Sequence, residues 1–489
     1  MKMNWPQPGE TRVTDSHMPS TKFTPKTSTV ASRGKLLRIL GVTFGLAVII
    51  GNTIGAGILR TPGDIAQSLP VPWIYLGVWV LGGLYALLGA CSMAELGAMM
   101  PRSGGYYVFT RRALGEFPAF IVGWTDFLAQ CGSTAAVAIV VGEYLGELFP
   151  ALKGTLLLSG FAVEKKVLLA SLVAIAVAIP QWRGIKAGSL TQNLTSAAKA
   201  LAFVALIAAI LIFAPTATQT SRPEIVHQAG FATALILAMQ AIIYTYDGWY
   251  GVIYFGEEVK QPGRDVPRAM IGGVLAVMAI YVLLNVALAH ALPLSQIAGD
   301  QMPAGKAATM VFGPHGDTFI RVLMIISMIS GINAYHLMAS RIPYAMATDG
   351  LLTSRAARVN QGGTPTTALL LSVVISIAFI LGSKRFERVI AIMAFFFVAD
   401  YALAYAAVFI LRRREPEAER PYRAWGYPWT TGAALAGSCL FLVGAVWSDT
   451  RNSLYSLAVL AAGYPLYKLF GVGKKQSALS NQHSAKPEN

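Results

Sequence analysis

Histidine, cysteine and charge are all scarce in this chain, and each scarcity removes a class of function. The six histidines, His17, His227, His290, His315, His336 and His483, form no metal-ligand pair and no Ser-His-acid arrangement, so no enzyme chemistry, metal or cofactor is expected. Cys91, Cys131 and Cys439 fall within apolar stretches, which leaves no extracellular disulfide framework. Only 13% of residues are charged while 55% are hydrophobic, a balance foreign to soluble domains. The sequence also lacks the repeated acidic ring of a cation channel and the soluble output domain of a signalling receptor.

What is present is apolar length. Stretches long enough to cross about 30 Å at about 1.5 Å per residue recur from residue 36 onward. Twelve spans are predicted, at 36–60, 72–98, 117–149, 163–181, 185–213, 230–257, 267–291, 317–346, 365–382, 387–411, 428–447 and 452–470. The fold class is therefore all-α integral membrane. Residues 1–35, rich in Thr, Ser, Pro and Lys, read as a disordered tail without a cleavable signal peptide. Residues 36–411 read as the core, 412–427 as a basic loop, 428–470 as two further helices and 471–489 as a second tail.

Basic residues set the orientation, because cytoplasmic flanks carry the excess of Lys and Arg. With the N-terminus inside, 27 of the 39 fall on the inner side and 11, Arg60 among them, on the outer side; Lys199 is left within a span. Both termini are thus expected in the cytoplasm of a cell-membrane protein. The net charge of +15 follows from this topology and needs no nucleic-acid partner.

Two spans are broken. The first carries G-N-T-I-G-A-G from Gly51 to Gly57 at its centre, although glycine costs about 1 kcal/mol in a helix interior. Unwound backbone at membrane depth is tolerated only where it lines a buried cavity. A half-helix starting near Gly55 aims unpaired N–H groups and a positive dipole end inward, a receptor for a carboxylate. The sixth span runs A-I-I-Y-T-Y-D-G-W-Y and breaks at Asp247-Gly248. An Asp at a helix centre costs about 2.5 to 3.5 kcal/mol on insertion scales. Breaks in spans one and six point to an inverted repeat of five plus five helices with substrate held between them, and to two helices added outside the repeat.

Four motifs then converge on one family. They are the G-N-T-I-G-A-G-I break, P-R-S-G-G-Y-Y-V-F from Pro101 to Phe109, Y-D-G-W followed by G-E-E-V-K-Q-P-G-R-D-V-P-R-A ending at Ala269, and S-R-I-P-Y-A-M-A-T-D-G from Ser340 to Gly350. Together they resemble the amino acid-polyamine-organocation superfamily, close to its L-type amino acid transporter branch. The resemblance implies a LeuT-like fold and site roles. Backbone N–H groups at Thr53, Ile54, Gly55, Ala56 and Gly57 would bind a substrate carboxylate, and carbonyls at Tyr244, Thr245 and Asp247 its ammonium. Tyr244 falls where similar transporters place an aromatic gate. Two half-helix ends of opposite partial charge suit a zwitterionic α-amino acid better than a sugar or an inorganic anion.

Lys199 is costly at membrane depth unless it donates to fixed oxygens or snorkels to the surface. Relatives place a lysine at the matching position, where its ammonium replaces sodium. The partners expected here are the Gly51 carbonyl with Ser327, Ser330 or Asn333. Asp247 either faces the cavity and favours cationic side chains or caps the broken helix at Trp249 or Tyr250. Glu257, Glu258, Lys260, Arg264, Asp265 and Arg268 form either a solvated cluster or an inner gate with Arg102 or Arg341, and Glu95 is a further candidate. The substrate side chain would meet Gln130 to Thr134, Asn333 and Phe395 to Phe397.

The expected function is sodium-independent amino acid exchange by alternating access. Proton-coupled amino acid or polyamine symport and a non-transporting amino acid sensor are the alternatives. The expected partners are an amino acid substrate and the lipid bilayer. Animal members of the branch join a heavy subunit through a cysteine between helices three and four, but residues 150–166 contain none. A single chain or a noncovalent homodimer is therefore expected.

Overall fold

The computed structural model describes residues 34–55, 57–158, 161–217, 230–383, 386–448 and 450–469. Both expected tails lie outside these residues, apart from positions 34 and 35. So do Arg222, Lys384 and Arg385, three of the charges assigned to the outer side.

The chain begins with α1 (Val42–Thr53) and α2 (Gly57–Ser68), followed by α3 (Pro72–Met99), α4 (Tyr106–Leu114) and α5 (Glu116–Leu148). A short antiparallel hairpin, β1 (Thr155–Leu158) and β2 (Phe161–Glu164), pairs Thr155 with Glu164 and leads into α6 (Lys165–Arg183) and α7 (Ile185–Phe213). Next come α8 (Phe231–Thr245), a 3₁₀ turn (Gly251–Tyr254), α9 (Pro262–Ala291), α10 (Leu294–Ile297), α11 (Pro303–Phe312) and α12 (Gly316–Thr348). The chain closes with α13 (Thr366–Ser383), α14 (Phe386–Arg414), α15 (Trp429–Ser448) and α16 (Thr450–Leu469).

Eight of these helical stretches are long and apolar enough to cross a membrane, and the pair α1–α2, bent by 49°, makes a ninth. The expected count of twelve also needs α8, α13 and α16, which lack the length or apolarity to qualify alone. One boundary differs from expectation. The first span does not end near residue 60 but runs on through α2 to Ser68, so Arg60 lies within it rather than in an outer loop.

The helices turn apolar side chains outward and keep their polar ones inside. On α7, Leu190, Leu194, Leu201, Val204 and Leu211 are exposed, while Gln192, Ser196, Lys199 and Phe203 are buried at helical spacing on the opposite face. In water such a stripe would be an aggregation surface; in a bilayer it faces acyl chains, and the protein's polar groups turn inward.

One end of the bundle, where α1 begins, is closed by polar interlocks; it is termed the proximal end. Leu40 exchanges backbone hydrogen bonds with Glu258 (2.9 Å) and Lys260 (2.8 Å), tying the entry of α1 to the chain after the 3₁₀ turn. Arg341 of α12 donates twice to Glu258, at 2.8 and 3.0 Å, with both side chains fully buried. Arg102 (2.8 Å), Arg111 (3.1 Å) and the Tyr107 hydroxyl (2.9 Å) gather on Asp349 at the end of α12. Glu95 takes Arg412 and Arg420 together with the Ala424 N–H at 2.7 Å. Of the pairings left open by the sequence, Arg341 joins the Glu257–Glu258 cluster directly, and Glu95 belongs instead to the end of α14 and the loop after it.

Removing one partner of a buried pair leaves an uncompensated charge, which costs about 3–5 kcal/mol, whereas replacing both is close to neutral. Arg341→Met should therefore destabilise the detergent-solubilised protein by about that amount in denaturant unfolding, and Glu258→Gln combined with Arg341→Met should recover most of the loss. A double variant no more stable than Arg341→Met would contradict the assignment.

Candidate functional site

The break between α1 and α2 leaves the last carbonyls of α1 without helical partners. Neighbouring helices supply them. Lys199 of α7 donates its ammonium to the carbonyls of Gly51 (2.8 Å) and Ile54 (2.6 Å), and Ser327 of α12 donates to Ile54 at 2.9 Å. Ser196 and Gln192 donate to the Ala47 carbonyl at 2.6 and 3.2 Å. The cation thus sits at the negative end of the α1 dipole. A side chain at position 51 would collide with Gln192 Nε2, Ser196 Oγ and Ser330 Oγ, so the close approach of α1 to α7 and α12 requires glycine there.

The second break is stitched to the first. Gly248 adopts φ +111°, a conformation open to glycine, and its carbonyl accepts from Asn52 Nδ2 at 3.2 Å. Tyr281 of α9 directs its hydroxyl at two carbonyls, Thr53 (2.8 Å) and Thr245 (3.1 Å), one from each broken helix. The hydroxyls of Thr61 and Thr245 join α2 to α8 at 2.9 Å.

Between the breaks lies a cavity of about 280 Å³. Its walls include Gly51, Thr53, Ile54, Gly55 and Gly57 from the first break, Tyr244, Thr245 and Asp247 from the second, and Ser327. Every described residue predicted to meet the substrate carboxylate or ammonium is therefore on one surface; Ala56 lies outside the described residues. Thr53 Oγ1 and Asn52 Oδ1 at this surface are buried and, among the described residues, have no hydrogen-bond partner. The first turn of α2 points its N–H end toward the cavity from Gly57.

Several predicted roles change. Ser330 hydrogen-bonds Ser196 (3.0 Å) and Gln192 (3.3 Å), and Asn333 hydrogen-bonds Gln192 (2.8 Å), Gln181 (2.9 Å) and Gly188 (3.3 Å), so neither is the partner expected for Lys199. Successive steps of three residues turn a helical side chain progressively aside, by about 120° between Ser327 and Asn333 at about 100° per residue. Ser327 meets Lys199 only through the Ile54 carbonyl they share. The Asp247 carboxylate lines the cavity and accepts from the hydroxyls of Tyr401 and Tyr250; the bond to Tyr250 reaches its side chain, not the backbone N–H that a helix cap would use. Gln130 is committed to Asp126 (3.0 Å) and Tyr254 (3.2 Å), away from the cavity. Ser133 and Phe397 do line it.

The sequence reading also missed wall residues: Arg60, Thr61 and Asp64 of α2, Val137 of α5, and Met328 and Tyr335 of α12. The run R-T-P-G-D resembles loop punctuation, yet it forms a half-helix whose polar face turns to the cavity. Tyr281 carried no local signal, since a tyrosine in an apolar span is ordinarily core.

Broken spans that enclose a cavity within an all-helical apolar bundle define a multi-pass membrane transporter. Comparison with known proteins agrees: the amino acid permease family matches residues 40–466. The serine/threonine exchanger SteT of Bacillus subtilis is 30% identical over 447 residues, covering 91% of this chain and 98% of that protein. The human b(0,+)-type amino acid transporter 1 is 25% identical, covering 89% of this chain and 88% of its own length, and the human cystine/glutamate transporter is 25% identical over 90% and 87%. The chain belongs to the amino acid permease family. It is a transporter, not an enzyme.

Lys199→Met would strip a donor from two buried carbonyls, at about 1–3 kcal/mol for each group left unsatisfied. Amino acid binding, measured by scintillation proximity on purified protein, should weaken at least about tenfold, the factor equivalent to about 1.4 kcal/mol. Unchanged binding would show that the ammonium does not organise the break.

Proposed function

We propose that this permease exchanges α-amino acids across a cell membrane by alternating access, without sodium. The observation that carries this reading is the pair of broken helices facing one cavity. The N–H end of α2 offers partial positive charge to a carboxylate, and the unwound segment after α8 offers carbonyl oxygens to an ammonium. A substrate carrying both groups on one carbon satisfies both ends. In this conformation the Tyr244 and Thr245 carbonyls are held within the protein, by the N–H of Asp247 (3.1 Å) and by Tyr281 (3.1 Å), and a bound ammonium would compete for them.

Sodium independence is supported by Lys199, whose ammonium occupies the space between the α1 carbonyls and Ser327 where a cation would otherwise be required. In the same reading the chain crosses the membrane twelve times, with α8 and the 3₁₀ turn forming the sixth span, α13 the ninth and α16 the twelfth. The first ten spans form the two inverted repeats, both termini are cytoplasmic, and the proximal end is the inner gate, shut here by Arg341–Glu258. Tyr244 is the aromatic gate over the substrate. Asp247, facing the cavity, favours substrates with cationic side chains. No disulfide-linked heavy subunit is needed, because residues 150–166 offer no cysteine; the working unit is one chain or a noncovalent homodimer. Exchange is preferred to net uptake because a relative of 30% identity is a serine/threonine exchanger.

Purified protein in liposomes tests the reading directly. Labelled amino acids should enter vesicles preloaded with unlabelled amino acid, equally well in sodium and in choline, and should enter empty vesicles only at background. Asp247→Asn should shift the inhibition profile from cationic toward neutral amino acids. Uptake that collapses in choline, or that never occurs, would overturn the exchange reading; an unchanged profile would remove the side-chain role of Asp247.

A further inference from the structure

Two carboxylates unused by the substrate site lie deeper in the bundle. Asp126 is on α5, seven residues before the cavity residue Ser133, or about 10 Å along the helix toward the proximal end. Asp400 is on α14, three residues beyond the cavity residue Phe397 and on the same side. Both are buried, Asp126 fully and Asp400 to 2% exposure, on two helices, α5 and α14, that pack against each other.

Their partners are unlike those of the other buried acids. Among the described residues, neither forms an ion pair, whereas Glu258 and Glu95 are each matched by arginine. Asp126 accepts only neutral donors: the Tyr254 hydroxyl at 2.9 Å to both oxygens and Gln130 Nε2 at 3.0 Å. Among the described residues, Asp400 Oδ2 has no hydrogen-bond partner. The titratable groups around Asp126 are Tyr254 and Tyr250 from the segment after α8, Tyr106 from α4, Cys131 one turn on along α5, and Asp247 in the second break; Tyr254 is also beside Asp400. None of them brings a positive charge. A carboxylate buried without a cation is costly to ionise, and each further one buried nearby raises that cost.

The space leaves one candidate. Aromatic rings fill the surroundings, with Tyr106 centred 5.3 Å from Tyr250, 6.1 Å from Tyr254 and 6.0 Å from Tyr401. A void of about 10 Å³ touches Asp247 and Tyr401 but not the pair. Among the described residues, no group of three His, Cys, Asp or Glu is gathered closely enough to hold a metal ion. A proton requires no volume.

We propose that Asp126 and Asp400 form a proton-binding site, holding one proton between them while the proximal end is closed and giving it up when that end opens to water. On opening, the O–H bond of the protonated carboxyl breaks, the proton passes to water, and the carboxylate left behind is hydrated. Tyr254 couples the site to the conformational change, because it links α5 to the segment leading from the second break into the proximal lock. The inference rests on the exchange reading in one respect: the closed state must re-form in every cycle. Exchange therefore requires reprotonation and slows as pH rises.

The test uses the full chain in liposomes at equal pH on both sides. Exchange by the wild type should fall along its alkaline limb by about tenfold per pH unit, the slope of a single linked proton. Asp126→Asn and Asp400→Asn, close isosteres that have no proton to lose, should each flatten that slope. Infrared spectra of the same samples should show the carbonyl stretch of a protonated carboxyl group in the wild type and in the control Asp317→Asn, an exposed outer-helix acid, and its loss or displacement in both site variants. Should one site variant fail to fold, the other and the wild-type spectrum still decide. A slope and a band retained in both variants would overturn the site. Absence of exchange at every pH would instead remove the exchange reading, leaving the infrared band to judge the proton alone.

Discussion

The exposed carbonyl end of α1 is the constraint on which the rest depends. A backbone acceptor in an apolar medium must be bonded, and breaking a span creates several acceptors at once. Lys199, Ser327 and Tyr281 are committed to them, and Ser196 and Gln192 add donors to the Ala47 carbonyl further back in α1. This commitment fixes which faces of α7, α9 and α12 turn inward, forces glycine at position 51, and anchors α1 to three long helices. Only with α1 so held can the first turn of α2 present its N–H groups to the cavity. On the proposed reading, the binding chemistry follows from satisfying the backbone.

Buried acids are handled in two ways, and the difference divides the molecule. Near the proximal surface they are matched by arginine: Glu258 with Arg341, Glu95 with Arg412 and Arg420. Half-exposed pairs such as Arg102 with Asp349 contribute only about 0–1 kcal/mol each, so the closure of that end rests on the fully buried pair and the backbone strap at Leu40. Deeper in the bundle, Asp126, Asp247 and Asp400 meet tyrosine hydroxyls, amides or nothing. Groups of the first kind hold a shape; groups of the second kind are where a cation or proton changes the energy most.

Much of this was legible in the sequence because membrane-depth anomalies are expensive. Gly51 to Gly57 and Asp247-Gly248 stand out against their apolar surroundings and both lie on the cavity. Lys199 stands out for the same reason, and its bond to Gly51 was readable. The second acceptor, Ile54, was not, since a carbonyl leaves no trace in residue type. The continuation of the first span into α2 was hidden by Arg60, Pro62, Gly63 and Asp64, which punctuate loops in water but here form a helix with Arg60 and Asp64 on the cavity wall. Asn333 was misassigned because helical rotation carries it toward Gln192. Ion-pair partners come from distant segments and follow only from the fold.

The central claim is that the two broken helices bind the α-carboxylate and the α-ammonium of one substrate. The direct measurement is competition for binding between the best-bound amino acid, its methyl ester and its des-amino analogue, all with the same side chain. The free amino acid should displace label while the ester and the des-amino acid both fail, since each leaves one helix end unmatched. An ester or a des-amino acid that competes as well as the amino acid would contradict the account.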